Sequence, residues 1–471
     1  MSIKLALPKG RFLSPTVNLL SRVDLGFSDY GNETRQYRLQ SAKFPYLSAK
    51  IFQEKDIPIQ VAVGNYDLGI CGLDWIEELL VKYPASALVK VSSLDYGEGN
   101  VHVVASNQAG ISALDELLAK QNDWRMVSEY PNLTEAFALN LRIRRFRIFP
   151  VWGAAEVYPP ENADLAILLE RDGIDLEAQG LVSLMNLLPV TAFLIANRES
   201  LENKDLSPIL SCLNSKLATK AQINPSVIAS QRRSDPITSH SQWQRKEIKL
   251  ALPDGHQQPP ASQFLKKVGL KLQGYSSEAL NRRPLANLDW LGIKAIRPQD
   301  MPLQVATGNF DLAITGKDWL QEHLYHFPSS PVKELLDLRF GKVKIVAAIS
   351  QDISAANINE LKLLIQRGKF APLKVVSEYI NIADKYLRDN YVSPYKLIPT
   401  WGASEAFLPE DADLLIDNVQ TGKTLAQHNL KVIDVLFQSA ACLIGNKDSL
   451  DLPDKKEKME FFAQILRARL S

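Results

Sequence analysis

A strand-turn-helix segment in the last third of the chain carries residues suited to binding an anion. Residues 414–425 read LLIDNVQTGKTL, so an apolar run leads into Asp417 and a Thr-Gly-Lys-Thr turn opens a helical stretch. Gly422 lets the backbone approach a ligand, and the hydroxyls of Thr421 and Thr424 can donate hydrogen bonds together with the N–H groups at the helix start. The segment therefore predicts a phosphate cradle, with Asp417 placed to accept from ribose hydroxyls or to face a bridging metal.

This segment has two further interpretations. An ordinary strand-turn-helix junction would also use threonine as a cap and glycine in the turn, so that interpretation stays open. A Walker A loop is excluded, because it needs a glycine five residues before Gly422 and that position holds Asp417.

The chain contains one unit twice. Four segments recur in the same order: 3–8 as 248–253, 56–75 as 300–319, 127–132 as 376–381, and 150–156 as 399–405. The offset drifts only from 244 (300 minus 56) to 249 (399 minus 150), which chance cannot produce. We therefore predict a first copy at 1–205, a helix and Ser-, Gln- and Pro-rich linker at 206–246, a second copy at 247–450, and a C-terminal helix at 451–471.

Each copy alternates short apolar runs with helical patterns. Ile3 to Leu7 and Val101 to Ala105 are predicted strands, whereas Trp75 to Lys82 and Asn132 to Asn140 are predicted helices. Such alternation predicts an α/β fold with parallel or mixed sheets covered by helices. With about 200 residues per copy, we expect two sub-domains and a ligand cleft at strand C-terminal ends.

The phosphate cradle is present in the second copy only. The equivalent first-copy segment, 166–176, has Leu168 in the position of Asp417 and carboxylates, Asp172 and Asp175, in the positions of the two threonines. Carboxylates would repel a phosphate, so the first copy is not expected to bind one there.

A cationic turn shows the opposite distribution. The first copy reads LPKGR at 7–11, which places Lys9 and Arg11 at the C-terminal end of a strand, where both suit phosphate or pyrophosphate. The second copy has Asp254 and His256 at these positions. A solvated basic turn is the alternative interpretation.

Further residues suited to ligand binding are concentrated in the second copy. Arg297 aligns with Gln53. In the turn formed by Thr315, Gly316 and Lys317, the first copy has Cys71 in place of the threonine and Leu73 in place of the lysine. The WGAxE segment of both copies ends in a glutamate, Glu405 in the second, for which a functional and a structural role are about equally expected.

Composition narrows the class of protein. The chain has 54 Lys and Arg against 53 Asp and Glu, so a net charge of +1 argues against a dedicated nucleic-acid binder. Three dispersed cysteines offer neither a disulfide framework nor zinc spacing, and we assign no metal ligands. No apolar run reaches membrane-spanning length, and the first residues lack a signal-peptide pattern. A cytoplasmic protein is expected.

The ordered series LPKGR, RPQDxP, DLxITGKD, WGASE and DxxxTGKTL resembles the catalytic subunit of ATP phosphoribosyltransferase, the short form, over nearly all of both copies. The resemblance implies a periplasmic-binding-protein-like fold of type II in each copy. It also implies transfer of a phosphoribosyl group to N1 of ATP from phosphoribosyl pyrophosphate, with Mg2+ and release of pyrophosphate, as the first step of histidine biosynthesis.

The resemblance also assigns roles to residues. Lys9, Arg11 and Arg297 would hold pyrophosphate or ATP phosphates as the catalytic cations. The residues that would bind substrate are Asp417, Thr421, Gly422, Lys423, Thr424, Thr315, Gly316, Lys317, Glu405 and Arg35. A homo-oligomer and a histidyl-tRNA-synthetase-like regulatory subunit are further implied partners.

Because neither copy has the whole motif set, we hypothesise a covalent pseudo-dimer. In it the second copy's cleft works and is completed by Lys9, Arg11 and Arg35, while the mirror cleft with Asp172 and Asp175 is inactive. The rival hypothesis is a non-catalytic regulatory or nucleotide-sensing subunit, and an anion-binding module of the periplasmic type is a third.

Overall fold

The computed structural model describes residues 2–27, 29–31, 37–120, 122–170, 176–214, 247–276, 280–370, 372–468 and 470. These residues form two compact units. Unit 1 comprises the described residues within Met1–Phe149, Leu165–Ile237 and Trp401–Ala406, and unit 2 those within Pro150–Asp164, Thr238–Thr400 and Phe407–Ser471. The predicted linker, 221–246, lies outside the described residues.

Unit 1 contains two sheets. The strands of the first are β1 (Ile3–Lys9), β2 (Arg38–Gln40), β3 (Leu47–Gln53), β4 (Leu68–Gly72), β5 (Leu88–Ser93) and β11 (Ala192–Asn197), in the order β2-β3-β1-β4-β11-β5. The strands of the second are β6 (Gly99–Ser106), β7 (Trp124–Ser128), β8 (Phe146–Pro150), β9 (Leu165–Glu170) and β10 (Leu181–Val190), in the order β10-β6-β9-β7-β8. Both sheets are mixed: β1 pairs in parallel with β3 and β4, whereas β11 runs antiparallel to β4.

The helices of unit 1 follow the apolar patterns of the sequence. They are α1 (Leu13–Val23), α2 (Ile57–Ala62), α3 (Leu73–Lys82), α4 (Leu114–Ala119), α5 (Pro131–Asn140), α6 (Arg198–Asn203) and α7 (Ser207–Asn214). The predicted helices at 75–82 and 132–140 are confirmed as α3 and α5. Strand β1 is buried along most of its length, as expected for a parallel strand covered on both faces.

Unit 2 repeats this arrangement. Its strands are β12 (Ile248–Pro253), β13 (Leu272–Tyr275), β14 (Leu280–Ala286), β15 (Leu291–Ile296), β16 (Leu312–Gly316), β17 (Val332–Asp337), β18 (Val343–Ser350), β19 (Leu373–Ser377), β20 (Tyr395–Pro399), β21 (Leu414–Val419), β22 (Leu430–Ser439) and β23 (Ala441–Asn446). They form sheets of order β15-β12-β16-β23-β17 and β20-β19-β21-β18-β22, with β13 and β14 as a two-stranded ribbon. The two copies therefore share an α/β architecture with two mixed sheets each, as predicted.

The helices of unit 2 include the predicted C-terminal one. They are α8 (Gln258–Lys267), α9 (Met301–Ala306), α10 (Lys317–His326), α11 (Ile358–Gln366), α12 (Ile380–Asp389), α13 (Lys423–Gln427), α14 (Lys447–Leu450) and α15 (Pro453–Arg467). Helix α15 buries Met459, Phe462 and Leu466 in the core around β12. In the part of the chain that the structure describes, no helix has the length and apolarity needed to cross a membrane.

Each unit includes a segment that belongs by sequence to the other copy. In unit 2, the first-copy residue Trp152 donates its backbone N–H to Asp300 at 3.1 Å, and Asn162 donates from its amide to the carbonyl of Asn309 at 3.0 Å. In unit 1, the ammonium of Lys55 lies 5.6 Å from the ring centre of the second-copy residue Trp401. The WGAxE segment of each copy is therefore part of the unit that the other copy mainly forms, and we call these two segments exchanged.

Candidate functional site

The predicted phosphate cradle forms an open turn in unit 2. Strand β21 ends at Val419, and Gly422 caps the start of α13 in the left-handed conformation, with φ of +73°. A Cβ built on Gly422 would have no heavy atom of the described residues within 4 Å, so space is available next to the backbone. The flanking side chains of Thr421, Lys423 and Thr424 are exposed. This turn can present hydroxyls, an ammonium and backbone N–H groups to an anion.

Asp417 precedes this turn and is held by its neighbour. Its Oδ1 accepts a hydrogen bond from the backbone N–H of Asn418 at 2.6 Å, and the side-chain amide of Asn418 lies 3.3 Å from the same oxygen. That amide also donates to the hydroxyl of Tyr379 at 3.0 Å. The sequence predicts no role for Asn418 or Tyr379, although Tyr379 lies in the repeated segment 376–381.

Asp318 anchors Tyr379 from the start of α10. Its Oδ2 accepts the hydroxyl proton of Tyr379 at 2.7 Å, and its Oδ1 accepts that of Ser439, also at 2.7 Å. Burial and the charge of Asp318 raise the pKa of Tyr379 well above its usual value, so the phenol stays protonated. These contacts connect α10 with the strand that carries Asp417.

The Thr-Gly-Lys turn at the end of β16 has internal partners. The hydroxyl of the buried Thr315 donates to the carbonyl of Pro298 at 2.9 Å. A side chain at Gly316 would collide with the carboxylate of Asp318, which explains the glycine. The ammonium of Lys317 contacts Glu334 at 2.9 Å and Asp337 at 3.0 Å. A phosphate at this turn would have to compete with those two carboxylates for the lysine.

Arg297 lies near an acidic residue at the end of β12. Its Nη1 is 3.3 Å from Asp254, whose carboxylate also accepts from Arg282 at 2.5 Å. Glu156, from the first copy, lies 3.6 Å from Arg282. Asp254 occupies the position of Lys9 in the repeat, so the second copy has exchanged a cation for an anion that binds two arginines. Arg282 was not predicted, because its segment is not part of the repeated motifs.

In unit 1, the cations of the LPKGR turn are ion-paired or hydrogen-bonded. Nε of Arg11 lies 2.9 Å from Glu54, and its Nη2 lies 2.8 Å from Asp74. Burial disfavours the charged guanidinium, but the two carboxylates outweigh it and raise the pKa of Arg11. The ammonium of Lys9 donates to the hydroxyl of Tyr37 at 3.0 Å. Arg11 is therefore a fully charged group shared between two acids.

The second-copy residue Glu405 lies in the same unit. Burial raises the pKa of Glu405, while a backbone hydrogen bond and the positive charge of Lys9 act in the opposite direction. The ammonium of Lys55, in the same unit, lies 5.5 Å from the ring centre of Trp75 and 5.6 Å from that of Trp401. The exchanged segment thus brings an acid of the second copy to a cation of the first.

The structure groups the predicted residues into two sets. One set lies in unit 2 and consists of Asp417, Thr421, Gly422, Lys423, Thr424, Thr315, Gly316, Lys317 and Arg297, and the other lies in unit 1 and consists of Lys9, Arg11 and Glu405. Arg35, Asp172 and Asp175 lie outside the described residues. No group of three or more His, Cys, Asp or Glu able to hold a metal occurs among the residues described.

Comparison with known proteins gives a consistent family assignment. The family model HisG, described as ATP phosphoribosyltransferase, matches residues 53–217 and 297–468. The chain is 36% identical over 231 residues to an ATP phosphoribosyltransferase of Saccharolobus solfataricus, a match that covers 48% of this chain and 73% of the relative. A Metallosphaera sedula protein of the same name is 33% identical over 229 residues, covering 48% and 73%.

Solved structures give more distant matches. An ATP phosphoribosyl transferase (HisG:HisZ) complex from Thermotoga maritima matches 45% of this chain and 97% of its own, with 19% identity and a TM-score of 0.38. The Escherichia coli periplasmic aliphatic sulphonate binding protein SsuA matches 45% of this chain and 68% of its own, with 15% identity and a TM-score of 0.30.

Proposed function

The chain belongs to the ATP phosphoribosyltransferase family of transferases, and we propose that it joins N1 of ATP to C1 of phosphoribosyl pyrophosphate, releasing pyrophosphate. In this proposal it performs the first step of histidine biosynthesis. The bond from N1 to C1 forms as the bond from C1 to the pyrophosphate oxygen breaks, and the leaving group takes the electron pair.

One observation carries the proposal. The second copy places an acceptor, Asp417, before an open turn with left-handed Gly422 and exposed Thr421 and Thr424. A phosphorylated ribose offers hydroxyls for the acceptor and a phosphate for the donors. Displacement at the anomeric carbon depends on positioning and on neutralising the departing charge, so no catalytic histidine or cysteine is required.

The remaining predicted residues complete the proposal. Lys9, Arg11 and Arg297 would serve the pyrophosphate and ATP phosphates, and each has a polar or acidic partner that a phosphate could replace. Thr315, Gly316, Lys317, Lys423 and Glu405 would support substrate binding. The role of Arg35 stays a prediction from the sequence.

The proposed Mg2+ would arrive with the substrate. Mg2+ in such sites uses one or two protein carboxylates together with substrate phosphates and water. The carboxylate of Asp417, which lies beside the candidate phosphate turn, would supply an oxygen ligand of this kind. When bound, the ion would offset the charge of the diphosphate.

The direct test is pyrophosphate release. The purified chain with ATP, phosphoribosyl pyrophosphate and Mg2+ should release pyrophosphate, and omission of either substrate should abolish it. Thr421→Val keeps the shape of the side chain and removes one hydroxyl, so it should raise KM for phosphoribosyl pyrophosphate about tenfold. Absence of release under all these conditions would contradict the proposal.

A second candidate is a non-catalytic nucleotide-sensing subunit. It is favoured by the pairing of Arg11 with Glu54 and Asp74 and of Arg297 with Asp254, which engages cations that phosphates would need. Calorimetric binding of ATP or phosphoribosyl pyrophosphate without turnover would support this candidate. A cytoplasmic location remains a prediction from the sequence. Homo-oligomerisation and a histidyl-tRNA-synthetase-like regulatory subunit remain predictions from the family, and co-purification from cells can test the partner.

A further inference from the structure

A line of hydrogen bonds in unit 2 runs from a buried serine to the candidate ribose acceptor. Ser439 donates to Asp318 at 2.7 Å, Asp318 accepts from Tyr379 at 2.7 Å, and the amide of Asn418 donates to the hydroxyl of Tyr379 at 3.0 Å. The same amide reaches Asp417 Oδ1 at 3.3 Å. We call Ser439, Asp318, Tyr379 and Asn418 the Asp417 relay.

The chemistry of the relay fixes the direction of each bond. A carboxylate only accepts, so the hydroxyls of both Ser439 and Tyr379 must donate to Asp318. The Tyr379 oxygen then has its lone pairs available for Asn418, which must present its NH2 group and not its carbonyl. Because Ser439, Asp318 and Tyr379 are all buried, an unmade bond among them would be costly.

This fixed amide orientation matters for Asp417. The backbone N–H of Asn418 already donates to Oδ1 of Asp417 at 2.6 Å, and the side-chain NH2 approaches the same oxygen. Two donors on one oxygen restrict the rotation of the carboxylate. Asp417 is therefore held in one orientation before any ligand arrives, which reduces the entropy lost on binding.

The first copy provides an internal comparison. It keeps the tyrosine and the acid as Tyr130 and Asp74, and the hydroxyl of Tyr130 donates to Asp74 at 2.7 Å. The positions of Asp417 and Asn418 hold Leu168 and Leu169, which carry no polar side-chain atoms. Asp74 is contacted by Arg11, whereas the equivalent Asp318 is contacted by Ser439. The side-chain amide of Asn418 thus occurs in the second copy, which also has the acceptor Asp417.

We propose that Asn418, supported by Tyr379 and Asp318, is a positioning residue that orients Asp417 toward the ribose hydroxyls of the phosphoribosyl substrate. This inference rests on the proposed function. It assigns specificity for the sugar to a contact beyond the phosphate cradle. It also explains why the buried Tyr379, at the start of α12, is joined to the exposed Asn418 of β21.

The test uses two variants and a matched control. Asn418→Leu introduces the first-copy residue at an exposed position, and Tyr379→Phe removes the acceptor of its amide. Each should raise KM for phosphoribosyl pyrophosphate about fivefold, the effect of one lost hydrogen bond, with KM for ATP and kcat little changed. Tyr386→Phe also loses a Tyr–Asp hydrogen bond in unit 2, to Asp434 at 2.9 Å, and should leave all three constants unchanged.

A double-mutant comparison separates positioning from general stability. If Asn418 acts through Asp417, Asn418→Leu should have no further effect on KM in an Asp417→Asn background. A full additional fivefold increase there, or an unchanged KM in the single variant, would overturn the inference. Failure of the unmodified chain to bind phosphoribosyl pyrophosphate or to release pyrophosphate would instead contradict the proposed function.

Discussion

Lys294 and Glu161 form an ion pair in the interior of unit 2, although they come from different copies of the repeat. The ammonium lies 2.9 Å from Oε2 of Glu161, and both side chains are at most 2% exposed. Arg283 contacts the same carboxylate at 2.9 Å, and Asn162 accepts from Lys294 at 2.8 Å. The exchanged first-copy segment is therefore fixed to the second copy by a charge cluster in which Lys294 and Glu161 are buried.

Glu161→Gln should destabilise unit 2 strongly. The substitution keeps the shape of the side chain but leaves the cations of Lys294 and Arg283 without their shared carboxylate, which typically costs about 3–5 kcal/mol when the pair is buried. Urea unfolding followed by circular dichroism should show a clear shift to a lower midpoint.

An exposed pair supplies the control for this prediction. Asp123→Asn removes the carboxylate that Arg147 contacts at 2.7 Å, where both side chains are about half exposed. Its effect should be below about 1 kcal/mol. Equal effects of the two substitutions would show that the buried cluster does not hold the segment.

The sequence predicts local features of this fold well. Runs of apolar residues predict strand β1 and helices α3 and α5, because a short-range pattern determines which face is buried. The repeat also predicts that both copies have the same two-sheet architecture. These features depend on neighbours within a few residues or on direct comparison of the copies.

Long-range pairing could not be predicted in the same way. The sequence predicts Arg11 as a phosphate ligand, and only the folded chain shows its contacts with Glu54 and Asp74, which lie 43 and 63 residues away. The exchange of residues 150–164 likewise depends on partners more than 120 residues distant, such as Arg283. Such contacts follow from tertiary packing, which residue spacing alone does not encode.

Arg11→Ala tests whether a first-copy cation contributes to turnover. Loss of a guanidinium that neutralises developing phosphate charge should lower kcat/KM for pyrophosphate release about 100-fold. Arg11→Lys, which keeps the charge but loses the fork of donors, should recover part of the activity.

A structural role for Arg11 makes a different prediction. Glu54→Gln keeps the guanidinium and removes the negative charge of one of its two acidic partners, which lies 2.9 Å away. It should lower the melting temperature and leave turnover near that of the unchanged chain. If Arg11→Ala behaves in the same way, the shared use of first-copy cations is wrong.

His323 should make the second copy sensitive to acid. Burial lowers the pKa of His323 to about 4, with a smaller contribution from His326, and its Nε2 lies 2.8 Å from the hydroxyl of Ser330. The folded state binds this proton less readily than the unfolded state, whose histidine pKa is about 6.5. Stability is therefore fully present above pH 6.5 and is lost as the pH falls toward 4, by on the order of 2 kcal/mol at pH 5.

His323→Leu places the first-copy residue, Leu79, at this position and should remove that loss. Urea midpoints measured at pH 7.5 and pH 5 should differ less in this variant than in the unchanged chain. The exposed His256 provides the control, and His256→Gln should keep the acid sensitivity. An unchanged difference in the His323 variant would show that other groups cause it.

Gly422→Ala distinguishes a phosphate-binding turn from an ordinary helix start. Both the functional and the structural interpretation allow a methyl group in the unliganded protein, because the described residues leave the space around a Cβ open to 4 Å. The left-handed φ of +73° should cost about 1–2 kcal/mol of stability in either case. An anion lying against the backbone would meet the methyl group directly, so KM for phosphoribosyl pyrophosphate should rise at least about tenfold, with KM for ATP nearly constant.

Gly368 offers a closely matched control, since it has φ of +80°, follows α11 in the same unit, and is equally open among the residues described. Gly368→Ala should cost similar stability and leave KM for both substrates unchanged. Because the two variants share backbone strain and differ only in what approaches the glycine, a rise in KM confined to Gly422→Ala identifies the turn as the anion site. Equal KM values in the two variants would favour the alternative interpretation, an ordinary strand-turn-helix junction with a glycine in the turn.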